Sequence, residues 1–145
     1  MENSFIITFV GDDRPGLVEK LSVIIERNDG NWLESRLSQL GGKFAGLILV
    51  TLASGDGSAP QAELKALADS GISVRVTGTG DVAIPEAGRD IHLTVLGPDR
   101  PGIVREISHA LAERQINVVE MDTQVDSAAM SAEMIFRARI DARIP

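Results

Sequence analysis

Two short turns contain the residues with the clearest chemical potential. They share the sequence Gly-x-Asp-Arg-Pro-Gly, at residues 11–16 and again at 97–102. Each follows an apolar run and precedes an amphipathic helical pattern, so its aspartate and proline stand where a helix begins. We expect Asp13 to cap the first helix. A helix start offers unpaired N–H groups and a partial positive charge, which predicts a small anion site at each turn.

The same residues also suit a tight turn that binds nothing. A duplicated fold would duplicate its turns, so repetition alone does not establish a ligand. Gly16 and Gly102 would leave the first helical turn open to a ligand. Valine at either position is therefore predicted to abolish binding while largely preserving the fold.

The turns belong to an internal repeat with an offset of 86 residues. The offset aligns Gly11 with Gly97, and it also aligns pairs beyond the turns. These further pairs include Asn31 with Asn117, Glu34 with Glu120 and, among apolar residues, Leu21 with Ile107.

The elements that must position the first turn can be read from hydrophobic periodicity. Residues 5–10 resemble a strand buried on both faces, and apolar residues at helical spacing follow from Leu17 to Ile25. Gly41-Gly42 predicts a hairpin turn. The remaining elements are strands at 32–40 and 44–53, a helix that stops at Gly71, and a strand at 72–76.

This order predicts an α+β protein built from two ferredoxin-like βαββαβ units, each an antiparallel sheet with its helices on one face. The first unit spans 1–79, a linker spans 80–89, and the second unit spans 90–145. The second unit has strands at 90–96, 117–126 and 130–140 and a helix at 101–114, but no final helix and strand. A truncated chain is the favoured explanation, and completion by another segment is the alternative.

Composition excludes several classes of function. The net charge is −7, from 14 basic and 21 acidic residues, without a Lys/Arg cluster that could neutralise phosphates. The absence of cysteine removes disulfides, thiol nucleophiles and cysteine metal sites. No signal peptide or membrane-spanning segment is evident. These features predict a soluble, cytoplasmic, acidic protein that binds neither nucleic acid nor membranes.

The repeated strand–Gly-x-Asp-Arg-Pro-Gly–helix in a βαββαβ order resembles the ACT domain, a regulatory amino-acid-binding module. The tandem arrangement resembles that of glycine cleavage system transcriptional repressors and their relatives. In this family, an amino acid commonly lies between two modules, against the first loop and the start of the second strand. By matching position, the resemblance implies the ligand-binding residues Gly11, Asp13, Arg14, Gly16, Leu17 and Asn31 in the first unit and Gly97, Asp99, Arg100, Gly102, Ile103 and Asn117 in the second.

The chemistry of these residues suits a free amino acid. Its carboxylate matches helix-start N–H groups, its ammonium matches Asp13 or Asp99, and an asparagine amide can serve either group. Position 12 is Asp in one copy, whereas its counterpart is Pro98, so the two sites cannot be equivalent. Neither a catalytic set, a metal site nor a cofactor motif is evident, and the two histidines are assigned to packing or surface roles.

Three functions remain open. The favoured one is an amino-acid-sensing regulatory protein that binds glycine or serine, forms a homo-oligomer and acts on a DNA-binding activator of glycine or one-carbon metabolism through protein contact. The second is a dimerisation module without a ligand. The third is a regulatory fragment of an enzyme similar to formyltetrahydrofolate deformylase.

Overall fold

The computed structural model describes residues 3–52, 58–79, 88–128, 130 and 132–145. The chain divides into two compact units, Met1–Val82 and Ala83–Pro145. Two antiparallel sheets, one in each unit, confirm the predicted α+β class, and the described residues of the second unit contain neither the final helix nor the final strand of the first. Most of the predicted linker lies outside the described residues.

Unit one contains a four-stranded antiparallel sheet in the order β2-β3-β1-β4. A short 3-10 helix, Ala66–Ser70, extends its second α-helix and ends at Gly71, as predicted. Its elements are β1 (Asn3–Asp12), α1 (Leu17–Arg27), β2 (Gly30–Leu40), β3 (Lys43–Leu52), α2 (Ser58–Lys65) and β4 (Ser73–Gly78).

The core of unit one lies between one face of this sheet and its helices. Alternate β1 residues Phe5, Ile7 and Phe9 are buried, because a strand places every second side chain on the same face. They pack with the apolar stripe of α1, Leu17, Leu21, Ile24 and Ile25, and with Leu64 of α2. The opposite face is open: Ile6 and Thr8 are half-buried and Val10 is exposed. The expectation that β1 is buried on both faces was therefore wrong, since both helices cover the same face.

Unit two contains a three-stranded antiparallel sheet in the order β5-β7-β6. Its last strand begins later than predicted, after a loop closed by the N–H of Ala128, which donates to the carbonyl of Glu133 at 2.9 Å. Its elements are β5 (Arg89–Pro98), α3 (Ile103–Glu113), β6 (Asn117–Ser127) and β7 (Met134–Ile144).

The two units differ in how the matching strands β1 and β5 are covered. In the described part of the chain, β1 pairs with two strands and β5 with one. Accordingly, Ile91, Leu93 and Val95 of β5 are only half-buried, although they face the helix as Phe5, Ile7 and Phe9 do. One irregularity is shared: β2 is bulged between Trp32 and Glu34, and β6 between Val118 and Glu120.

Candidate functional site

Both turns adopt the same backbone. The strands continue past the glycine where they were expected to end, through Asp12 in β1 and Pro98 in β5. Gly16 and Gly102 then take the left-handed conformation, with φ values of 93° and 85°, as the N-cap residues of α1 and α3. Residues with a Cβ are strained there, so valine at these positions carries a cost to stability that the sequence-based prediction did not include.

Asp13 does not cap α1, contrary to the prediction. The N-cap is Gly16, three residues farther along the chain, and no side chain caps that end. The Asp13 carboxylate instead accepts a hydrogen bond from the Nε2 of Gln39 near the end of β2. Asp13 therefore links the turn to the sheet edge.

A small cleft of about 60 Å³ lies beside the first turn. It is lined by Asp12, Arg14, Pro15, Leu17, Lys20, Ser70 and Ile72. Two of these side chains are cationic, one is anionic, and the leucine and isoleucine are apolar. The cleft therefore combines groups for a carboxylate and an ammonium with apolar wall residues.

Asp12 is the anionic group of this cleft. Its carboxylate contacts the Nζ of Lys43 and accepts from the Nη2 of Arg14 at 3.1 Å. The hydrogen bond from Lys43, followed by that from Arg14, lowers the pKa of Asp12. The carboxylate is thus held in its charged form, which is the form that attracts an ammonium group.

Gly11 permits the close packing under this cleft. A Cβ at this position would lie 2.9 Å from the Cδ1 of Leu17 and 3.3 Å from the Cγ1 of Ile72. The glycine therefore lets α1 and the residue before β4 approach β1. This is a packing role, so Gly11 supports the cleft without lining it.

The second turn places its arginine differently. Arg100 donates from Nη1 to the Oε1 of Glu106 at 3.0 Å, and its Nη2 contacts the second carboxylate oxygen. This pairing raises the pKa of Arg100 and lowers that of Glu106. A bidentate guanidinium–carboxylate pair is a strong, oriented contact. Arg14 makes a single such contact, with Asp12, so Arg100 is the more firmly held of the two turn arginines.

The charges around the two turns differ at matching positions. Asp12 is matched by Pro98, and Lys20 is matched by Glu106. Ser70 and Ile72 line the first cleft, but unit two has no matching elements in its described residues. Ile103, the match of Leu17, is only half-buried. The second turn thus repeats the backbone, the aspartate and the arginine of the first, but has no counterpart of Asp12 or Lys20.

Asn31 and Asn117 lie far from the turn of their own unit. Asn31 pairs with Thr51, which pairs with Ser4, seven residues before Gly11 along β1. At about 3.3 Å per residue, this separation is roughly 23 Å. Asn117 is similarly aligned with Asp90 through Arg143, at the opposite end of β5 from Gly97. Neither asparagine therefore joins the turn of its own unit.

The structure adds five cleft residues to the predicted site: Asp12, Pro15, Lys20, Ser70 and Ile72. Asp12 is the last residue of a strand, and Lys20 follows the turn by one helical turn of α1, so both were within reach of a local argument. Ser70 and Ile72 join the cleft only through the pairing of β4 with β1. No local spacing in the sequence indicates that pairing.

The histidines contact acidic residues pairwise. The Nδ1 of His92 contacts the Oδ1 of Asp141 across β5 and β7, and the Nε2 of His109 lies 3.0 Å from the Oε1 of Glu113. Among the described residues, no group of three or more His, Cys, Asp or Glu side chains could hold a metal ion. Within the same residues, every helix is too short or too polar to cross a membrane.

Comparison with known families identifies the repeated unit. A family model described as the ACT domain matches residues 3–77, and a second ACT-domain model matches residues 91–143. This chain belongs to the ACT-domain family. It is a tandem ACT-domain protein, and ACT domains are regulatory modules.

Two solved structures resemble this tandem ACT-domain protein over its whole length. A protein from Galdieria sulphuraria described as unknown is 32% identical, with a TM-score of 0.86, and the match covers 100% of this chain and 84% of the other. A putative glycine cleavage system transcriptional repressor is 20% identical, with a TM-score of 0.72, covering 99% of this chain and 81% of the other. The second likeness extends to the fold alone. No curated protein matches the sequence.

Proposed function

We propose that this tandem ACT-domain protein senses a small amino acid through the cleft of unit one. The observation that carries the proposal is that Arg14, Lys20 and Asp12 line one small cleft at the start of α1. A free amino acid carries one carboxylate and one ammonium on neighbouring atoms. Few other metabolites require both charges within so small a space.

The proposed binding mode assigns each end of the ligand. The carboxylate contacts Arg14, Lys20 and the free N–H groups of the first turn of α1, where the helix dipole favours an anion. The ammonium contacts Asp12 in place of the Arg14 guanidinium, which turns to the ligand carboxylate. The cleft volume of about 60 Å³ and the apolar Leu17 and Ile72 favour a short side chain. Glycine and serine are the proposed ligands.

Asn31 enters this proposal only through a second module. Because it lies at the opposite end of its own sheet, its amide reaches a cleft only if another module or another copy supplies that end. We therefore propose that the complete site lies at a contact between copies of the chain in a homo-oligomer. In that arrangement, we assign a structural role, and no direct ligand contact, to Gly16, Asp13 and the residues of the second turn.

The proposed output is a change in protein contacts. A ligand shifts an equilibrium between two packings of modules by its difference in affinity for them. The net charge of −7 disfavours direct contact with DNA, so the regulation is proposed to act through protein contact. The proposed partner is a cytoplasmic DNA-binding activator of glycine or one-carbon metabolism. Binding to such an activator should change when glycine or serine is added, and an unchanged affinity would refute this output.

A thermal-shift screen against the twenty amino acids tests the ligand. At about 100 times the dissociation constant, a ligand adds about 2.7 kcal/mol of stability, which is several degrees for a unit of this size. Lys20→Glu, which copies Glu106 of unit two, should abolish the shift. Lys65→Glu makes the same charge change on the exposed end of α2 and should retain it.

A ligand-free dimerisation module is the second candidate. The Arg100–Glu106 pair and Pro98 favour it for unit two, because the arginine is held by a carboxylate of its own unit and no counterpart of Asp12 is present for an ammonium. If no amino acid shifts the melting temperature of the folded protein, unit one is also assigned to ligand-free dimerisation. A shift that survives Lys20→Glu would instead place the ligand elsewhere.

A further inference from the structure

The open face of the unit-one sheet carries an ordered pattern of side chains. We define it as the face opposite α1 and α2. Residues directly paired across antiparallel strands project to the same face. One row across β2, β3 and β1 is therefore Glu34, Leu49 and Ile6, and the next is Arg36, Leu47 and Thr8.

These two rows surround a shallow depression of about 320 Å³. It is lined by Ile6, Glu34, Ser35, Arg36, Leu47 and Leu49. Leu47 is 49% exposed, which is unusual for a leucine in the middle strand of a sheet. The depression therefore has apolar walls on β1 and β3 and charged walls on β2.

Glu34 and Arg36 are only loosely paired with each other. The Arg36 Nη2 lies 3.8 Å from the Glu34 Oε1, and the side chains are 59% and 67% exposed, respectively. Such an exposed pair contributes little stability. Both charges remain available to a partner that brings the opposite charge to each.

The matching face of unit two is charged at its centre. Asp141 and Arg139 of β7 occupy the register of Leu49 and Leu47, and they pair with Glu120 and Asp122 of β6. The apolar centre is therefore not a requirement of the fold, because the same strands form with charges there. It is specific to unit one.

We propose that the open face of unit one binds the open face of a second copy of this chain. The two-fold axis lies in the plane between the sheets, perpendicular to the strands, and passes between the two rows. This operation places Glu34 opposite Arg36 of the partner subunit, and Arg36 opposite Glu34 of the partner subunit. It also places Leu47 against Leu49 of the partner subunit, so one patch is complementary to itself.

The geometry agrees with the general packing of sheets. Two sheets stack about 10 Å apart with their strands roughly aligned and their apolar side chains interdigitated. The depression between the rows receives the half-exposed leucine of the other copy. The two reciprocal ion pairs at the β2 edge fix the register, because a shift by one row would oppose like charges.

A charge at the apolar centre tests the interface. Leu47→Asp should raise the dissociation constant of this contact at least about 100-fold, since a carboxylate would be buried against leucine. Sedimentation should then show half of the wild-type mass, which reaches the 15.5 kDa monomer if this is the sole contact. Glu26→Arg on the exposed side of α1 is the control and should leave the mass unchanged.

Charge exchange tests the axis itself. Glu34→Arg alone makes the β2 edge doubly basic, and Arg36→Glu alone makes it doubly acidic, so each variant should self-associate about 10-fold or more weakly. An equimolar mixture of the two should recover wild-type mass as a heterodimer, because each basic edge then meets an acidic one. The double variant E34R/R36E should also recover self-association.

The outcomes separate this interface from others. A wild-type chain that sediments as a monomer, or a Leu47→Asp variant with unchanged mass, would overturn the proposal. Loss of mass in the single charge variants without recovery in the mixture would also overturn it. Unchanged fluorescence of Trp32, which packs against the core of unit one, confirms that each variant is folded.

Discussion

The two ACT units have nearly the same turn but different surroundings. Gly16 and Gly102 adopt the same left-handed conformation, and both helices begin one residue later. Around this shared backbone, unit one places Asp12 and Lys20 where unit two places Pro98 and Glu106. The repeat thus preserves the turn and its arginine, whereas the charges of Asp12 and Lys20 belong to one copy.

The same contrast extends to the sheets. In unit one, β4 and the residues before it pack against β1, and Ile72 closes the space above Gly11. In unit two, a Cβ built on Gly97 meets no atom of the described residues within 4 Å apart from its chain neighbours. Identical residues at matching positions therefore have different structural roles, because their neighbours differ.

The largest difference in stability between the units should come from valine substitutions at Gly11 and Gly97. Gly11→Val should destabilise unit one by about 2–3 kcal/mol, because even its Cβ would press on Leu17 and Ile72 in a packed core. Gly97→Val should change the stability of unit two by less than about 0.5 kcal/mol. Urea unfolding measures both.

The single tryptophan makes this comparison practical. Trp32 fluorescence reports on unit one, and far-UV circular dichroism reports on both units. Equal losses for the two variants would mean that the space beside Gly97 is filled in solution. That result would remove the contrast between β1 and β5.

The units should behave alike where they share a backbone. Gly16→Ala and Gly102→Ala should each cost about 1–2 kcal/mol, because alanine is strained at φ near 90°. Asparagine at the same positions should cost less, since it tolerates the left-handed region better. A large loss in one unit and none in the other, measured by the same unfolding experiment, would show that the two turns differ.

The sequence was sufficient to predict the repeat, the fold class and the shared turn. These follow from periodicity and from glycine and proline positions, which are local properties of the chain. The helix cap was mispredicted because Gly16 starts the helix after Pro15, so Asp13 contacts Gln39 instead. Helix propensity rules could not decide between an N-cap at Asp13 and an N-cap at Gly16.

The composition of the cleft could be predicted only in part. Arg14 and Leu17 were expected from the resemblance and do line it, whereas Ser70 and Ile72 arrive from a distant segment through strand pairing. The asparagines align in sequence but lie at the far end of each sheet. Sequence register therefore identified equivalent positions without revealing which of them share a space.

The smallest expected difference concerns the turn arginines and the pKa values of the carboxyl groups beside them. Arg100 is the main cause of the lowered pKa of Glu106, whereas Lys43 contributes more than Arg14 to the lowered pKa of Asp12. Arg100→Gln should therefore return the Glu106 pKa toward its ordinary value. Arg14→Gln should leave the Asp12 pKa lowered, and carboxyl-carbon NMR titration of both variants measures this.

The sign of the effect on stability follows from linkage. A carboxyl group whose pKa is lowered by folding stabilises the protein above its ordinary pKa, and this contribution is lost as the pH falls through the folded-state value. Arg100→Gln should therefore reduce the loss of unit-two stability as the pH falls. Arg14→Gln should leave most of the corresponding loss in unit one. If both variants changed their carboxyl pKa equally, the two arginines would be held equally by their carboxylates, and the proposed contrast between the two turns would fail.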